Sequence, residues 1–358
     1  ILSFSQCSDV NKSKGGLRIT DNFKSLARDF KNPPIEYSTA PFWVWNDVVT
    51  KQKIDQQLPD FKEKGISQVF IHPRPGLITE YLSEEWFELV KYAVEKGKEL
   101  NMKIWLYDEN SFPSGFAGGH VISVMPPSFD PVVGLKLTKL NVLQASDTKQ
   151  YFIVIKKYNN YFANISGGTK SYINQPGEYY AFEKWYYPEK EAWFGGFSYV
   201  DLLAYGITER FIKTTMQGYE EYLGEDLGTT VPGIFTDEPN INTRGDDQNV
   251  IRFTPVLFNK FKEKYGYQLQ NYLPCLYDEV GDWRNVRHDY YALLLDMFID
   301  RWAVPWYEYT EEKNIIWTGH YWEHGWPNPK HGGDNMAMYA WHQYPGIDML
   351  FNNEDRRP

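Results

Sequence analysis

From Pro41 onward, short apolar runs alternate with longer amphipathic stretches. "APFWVWN" is the first run. Thr50 is placed to cap the helix that follows, whose Ile54, Leu58 and Phe61 share one face before Gly65 stops it. "SQVFIHPR" predicts a second strand. Ser83, backed by Glu84 and Glu85, starts a helix with Val90 and Val94 on its buried stripe, and "MKIWLYDEN" is the third strand. Strands alternating with helices predict parallel pairing. The three begin about 30 residues apart, as βαβ units do.

The next strand of this type, "VPGIFTDEPN" at Val231–Asn240, comes more than about 100 residues later. Between them lie "VVGLKLTKLNVL", "QYFIVIKKY" and "EYYAFEKWYY", separated by turn-forming "QASDTK", "SGGTK" and "NQPG". They predict a small antiparallel insertion at 130–192. Helical periodicity resumes over 199–224. Helices follow near 255–265 and 285–312, then strands five and six in "NIIWTGHYWEH" and "PGIDMLF". The predicted fold is α/β, a (β/α)8 barrel of TIM type that this chain carries incompletely, as about six strand–helix units, with the insertion between strands 3 and 4. A doubly wound sheet also fits the alternation, but no glycine-rich phosphate turn follows strand one. The predicted organisation is a tail at 1–30, barrel segments at 31–129 and 193–358, and the insertion.

Each strand ends in polar chemistry. Strand one ends in Asn46 and strand two in His72 and Arg74. Strand three ends in Asp108 and Glu109, strand four in Asp237 and Glu238, and strand five in His320 and Glu323. Each of these has a structural reading, such as Arg74 pairing Asp108. Their placement at the carboxyl end of every strand points instead to an active site. Paired carboxylates there suit acid–base work on a glycosidic bond, and an acid buried among aromatics is raised toward proton donation. Neighbours on a strand face opposite sides, so one of Asp237 and Glu238 enters the cleft. Glu238, beside Pro239, is taken as the proton donor. Trp43 and Trp45 are expected to line the same cleft as sugar-stacking platforms.

The stretches "PFWVWN", "FIHPRPGL…YLSEEWFELV", "KIWLYDENSFPSGFAGG", "GIFTDEP", "TGHYWEH" and "GGDNMAMYAWHQYPGIDML" resemble the barrel of the α-L-rhamnosidases of glycoside hydrolase family 106 and their relatives, over about Pro41 to Leu350. The resemblance implies an exported, inverting hydrolase of rhamnose-containing glycans, with calcium dependence and two catalytic glutamates. The acid falls on Glu238. The base falls on a later strand than these six; within the chain, Glu323 is the candidate to stand in for it. The alternatives are a glycan-binding module without turnover, and a metal-dependent barrel hydrolase, which should carry histidines on strand one.

Composition narrows the partners. The chain has 358 residues and a net charge of −10, which argues against a nucleic-acid binder and supplies no polybasic membrane patch. Aromatics make up 17% of it, enough to fill a core and still furnish stacking surfaces for an oligosaccharide or polysaccharide. Its two cysteines, Cys7 and Cys275, cannot build a zinc cluster. "ILSFSQC" has the form of an export segment ending in an acylated cysteine, and "SDVNKSKGG" that of a tether, so Cys7 is read as a lipid anchor on a periplasmic or outer-membrane protein, with an accidental cysteine as the alternative. His320 and His324 in "HYWEH" do not have the zinc-helix arrangement. Calcium oxygens are offered by "RGDDQN" (Arg244–Asn249) and "YDEN", without a fixed ligand set.

Overall fold

The computed structural model describes residues 22–126, 129–159, 161–243, 247–323 and 328–349. Cys7 and most of the predicted tail lie outside these, as do Arg244, Gly245, Asp246 and His324. Two sheets carry the architecture. The first has six parallel strands in the order β1 (Phe42–Trp45), β2 (Gln68–Pro73), β3 (Lys103–Tyr107), β8 (Gly233–Asp237), β10 (Ile316–His320) and β11 (Tyr344–Pro345). It is open: β1 and β11 are its two ends and do not pair. Of the predicted sixth strand, 345–351, residues 350 and 351 lie outside the described residues; among those described, the strand is Tyr344–Pro345, pairing at Thr318–Tyr344 and Gly319–Pro345.

Helices form where the sequence supplies starts and buried stripes. The Thr50 hydroxyl accepts from Lys53 N at 3.2 Å and the Ser83 hydroxyl from Trp86 N at 3.2 Å, so both predicted caps are made. The helices Lys51–Glu63 and Glu84–Glu99 bury Ile54, Leu58, Val90 and Val94 completely. Each such side chain contributes roughly 1.5–3 kcal/mol. The helix expected from residue 199 starts only at Ile207, because Gly206 takes a left-handed φ of 78° and breaks the path before it. The helix Trp283–Phe298 runs through a π-turn, Ile299–Ala303, into Val304–Glu312, matching one long predicted element.

The second sheet is antiparallel, in the order β6 (Phe162–Asn164), β5 (Ile153–Lys157), β7 (Pro176–Tyr186), β4 (Val132–Val142) and β9 (Val250–Arg252). Four of its strands come from the predicted insertion. The fifth, β9, arrives from beyond β8 and pairs with β4 at Gly134–Arg252, Leu135–Ile251 and Lys136–Val250. A buried ion pair between Arg252 and Asp201 ties that strand to the approach of the helix Ile207–Leu223.

Alternation along the parallel strands sorts side chains onto two faces. One face carries Trp43, Trp45, Ile71, Ile104, Leu106, Ile234 and Trp317, buried in the principal core. The other carries Phe42, Phe70, His72, Trp105, Tyr107, Phe235, Ile316 and His320. Its lowest layer is Phe70, Trp105 and Ile316. Above it Phe42, His72, Tyr107 and Phe235 meet ring to ring, with Tyr107 stacked on Phe235 at 5.8 Å.

Candidate active site

On top of this aromatic floor lies a cleft of about 490 Å³, lined by Phe42, Arg74, Phe112, Phe235, Asp237, Glu238, His320, Trp322, Ile347 and Asp348. Asp237 ends β8. Glu238 follows with a φ of +47°, left-handed for a residue with a side chain. That turn breaks the strand's alternation, so Asp237 and Glu238 both line the cleft, in place of the opposite orientations expected of a continuing strand.

Asp237 sits at the centre of a polar chain. Its Oδ1 meets His320 Nε2 at 3.0 Å, and its Oδ2 accepts from the Tyr107 hydroxyl. His320 Nδ1 lies 3.2 Å from Glu323 Oε2, while Glu323 Oε1 accepts from the Tyr339 hydroxyl at 2.9 Å and from Asp348 N at 3.1 Å. Burial opposes a charge on His320, yet the two flanking carboxylates prevail and raise it to about 10. Against the same burial cost, His320, Tyr107 and Arg74 hold Asp237 below the usual carboxylate range, and His320 does so for Glu323. Glu238 has the opposite balance. Burial, followed by repulsion from Asp237, pushes it up to about 8. The site therefore holds an imidazolium between two carboxylates, next to a carboxyl that keeps its proton at neutral pH.

The loop after β3 sets this geometry. Asp108 and Glu109 are completely buried. Asp108 points away from the cleft and accepts from Ser114 Oγ at 2.5 Å and from the Thr236 hydroxyl. Ser114 in turn accepts from Asp237 N at 2.8 Å and donates its own N–H to Asp237 O at 2.8 Å. Glu109 accepts five backbone N–H groups, from Asn110, Gly115, Phe116, Ala117 and Gly118 at 2.6 to 3.2 Å. Burial pushes it up to about 7 against those donors. Both acids, expected to bind substrate, are instead the internal frame of the loop that seats Asp237. Sequence reasoning does not single out Ser114, although its place in the small-residue stretch "PSGFAGG" is the available signal.

The other expected residues divide. Arg74 and His320 line the cleft, and the Arg74 guanidinium lies 4.9 Å from the Phe112 ring centroid. Arg74 Nη1 is buried with no hydrogen-bond partner, and Arg74 has no ion pair among the described residues; it does not pair Asp108. His72 is under the cleft and not in it, with Phe42 and Tyr107 each 4.3 Å away, and burial lowers it to about 4. Asn46 is exposed at the end of β1, outside the lining. Trp43 and Trp45 are 4% and 3% exposed and face the helices. Trp43 Nε1 donates to Gln57 Oε1 at 2.7 Å, and Trp45 packs edge-on against Trp86 at 5.3 Å. The parity of β1 turns them away and sends Phe42 to the cleft. Glu323 is outside the lining and touches the cleft through His320 and Asp348. Phe42, Phe112, Phe235, Trp322, Ile347 and Asp348 are lining residues that sequence reasoning missed.

Donor atoms of Asp237, Glu238 and His320 lie within 4.8 Å of one another. They do not fit a metal ion. His320 directs one ring nitrogen at Asp237 and the other at Glu323, so neither nitrogen is turned toward a shared centre with Glu238. Calcium requires six or more oxygens, which this cluster lacks. The carboxylates of "YDEN" are likewise taken up by the loop.

No family model matches the chain, and no curated protein matches it. Among solved structures it is similar to a rhamnosidase from Novosphingobium sp. PP1Y, with 11% identity and a TM-score of 0.55 over 88% of this chain and 49% of that one. Amy13B of Eubacterium rectale aligns at 10% identity over 80% of this chain and 44% of that one, but its TM-score of 0.28 is too low to speak for a shared fold. The chain thus spans about half the length of the rhamnosidase it matches, and shares with it a fold of parallel strands and helices.

Proposed function

We propose that the chain is the catalytic part of a glycosidase acting on terminal rhamnose-type sugars, with Glu238 as general acid. The observation that carries this reading is the pairing of a protonated Glu238 with an ionised Asp237 in one aromatic-lined cleft. Cleavage of a glycosidic bond to a poor leaving group needs a proton delivered to the departing oxygen. A carboxyl raised to about 8 by burial and by its neighbour holds that proton at neutral pH. Phe42, Phe112 and Trp322 offer faces for a sugar ring, and Arg74 brings an unpaired donor to its hydroxyls. Rhamnose as the sugar and inversion as the outcome rest on the family resemblance of the motifs. On the same basis the open sheet is taken as an arc of a (β/α)8 barrel.

A second reading, sugar binding without turnover, is favoured by one observation. Glu323 is engaged by His320, Tyr339 and Asp348 N and is not available to activate water. One pair of measurements separates the two: release of sugar from an aryl α-L-rhamnoside and from a rhamnosyl disaccharide, and calorimetric binding of L-rhamnose. Release from either glycoside supports the first reading, and binding without release the second. Neither binding nor release overturns both.

A further inference from the structure

The insertion carries a hollow larger than the catalytic cleft, about 730 Å³ against 490 Å³. Its walls are the β5–β6 hairpin and the turns around residues 271–282. Tyr158 and Tyr161 stack in it at 4.7 Å with planes 8° apart, leaving Tyr161 61% exposed; Tyr272, which lines the same hollow, is 41% exposed. Water-facing aromatic planes of this size form a platform and add nothing to a core. The same hollow is lined by Asn159 and Asn271, neither of whose amides makes a side-chain hydrogen bond among the described residues. Charges there already have partners: Lys157 pairs with Glu178 at 2.5 Å, and Asp282 accepts from Asn285 at 2.7 Å. Flat apolar faces beside neutral two-way hydrogen-bonding groups match a polyhydroxylated ring. They do not match a polyanion, which needs unpaired cations, or a metal, which needs several anionic ligands.

We propose that this hollow is a second, non-catalytic binding site for an uncharged stretch of a polysaccharide chain, several sugar rings long. The inference rests on the glycan reading of the main cleft for its ligand class, but not on that cleft's chemistry. Binding there would hold a polymer to the protein while the cleft works on its ends, raising the effective concentration of substrate.

The test uses Glu238→Gln protein, to exclude turnover, in affinity electrophoresis through gels containing a rhamnose-rich neutral polysaccharide, with starch and xylan gels alongside. Retardation is expected in at least one gel. Tyr161→Ala and Tyr272→Ala, each made in that background, are expected to weaken it about tenfold, in line with the loss of one stacking face. The same two tyrosine substitutions in otherwise wild-type protein should leave hydrolysis of an aryl rhamnoside unchanged. A thermal unfolding midpoint unchanged from the parent shows that the exposed tyrosines were not holding the fold. Retardation that survives both substitutions, or is absent from every gel, overturns the second site. Failure of the catalytic reading is seen separately, as wild-type protein that releases no sugar yet is retarded through Tyr161 and Tyr272.

Discussion

Glu238 and Asp237 are neighbours in sequence, but one sits high on the pH scale and the other low, each for a different local reason. That difference makes the pair testable. Glu238→Gln should lower cleavage of a natural rhamnoside by about 10²–10⁴-fold, and cleavage of an aryl rhamnoside with an acidic phenol much less, since that group leaves unaided. Equal losses on both would remove Glu238 from the role of acid. The alkaline limb of the pH–rate profile should lie near the value of about 8 to which Glu238 is raised. Asp237→Asn removes a cause of that elevation, so the limb should move to lower pH; an unmoved limb would show that Asp237 does not poise its neighbour. His320 bears on stability. Its folded value of about 10 exceeds the ordinary 6.5, so its contribution is complete below about 6.5 and is lost as the pH rises through 10. Glu323→Gln withdraws one supporting carboxylate and lowers the folded value, so the fall in unfolding midpoint still begins near 6.5 but should be smaller and level off at lower pH than in wild type. That a carboxylate pair sits at the carboxyl end of β8 was legible in "FTDEP", where an apolar run gives out into two acids. The left-handed turn at Glu238 was not, since nothing in a Glu–Pro step announces it. Nor was the burial of Trp43 and Trp45 away from the cleft, because the parity of a four-residue strand depends on what covers each face.

At the level of elements, the site depends on how closely β8 and β10 approach. Gly319 has a φ of 133°, and a Cβ there would stand 2.0 Å from Thr236 O. Gly319→Ala must push the strands apart next to the point where His320 meets Asp237, at a cost of about 1–3 kcal/mol for overpacking, besides backbone strain. Activity should fall further than stability alone predicts, and the His320 ring should titrate nearer its ordinary value. An alanine variant with native activity and titration would mean that the strand spacing is not what sets the pair. Strands β1, β2, β3, β8 and β10 were visible as apolar runs between polar breaks, and the helices as capped amphipathic stretches. The three-residue strands β6 and β9 and the two-residue β11 are below the length at which alternation can be counted, and only tertiary pairing defines them.

Across the whole molecule, the antiparallel sheet is tied to the segment leading into the helix Ile207–Leu223 by the buried Arg252–Asp201 pair, with Arg252 Nη1 also donating to Val133 O at 3.2 Å. Arg252→Met alone should destabilise by about 3–5 kcal/mol, because it strands a buried carboxylate, whereas the double change with Asp201→Leu should recover much of that loss. Chemical denaturation of the three variants checks this; a double variant as weak as the single would show that the pair does more than neutralise itself.

The same junction governs the loop that begins at Glu238. It runs past Asn242, whose carbonyl accepts from the Tyr187 hydroxyl at 2.6 Å, and Thr243, whose carbonyl accepts from Trp185 Nε1 at 3.3 Å, before ending in β9 against β4. The insertion is thus the far mooring of the segment that starts at Glu238. The insertion is therefore not a detachable cassette: excising it would remove the partners of Asn242 and Thr243 and the strand that β9 pairs with, and so loosen the far end of the segment that starts at Glu238.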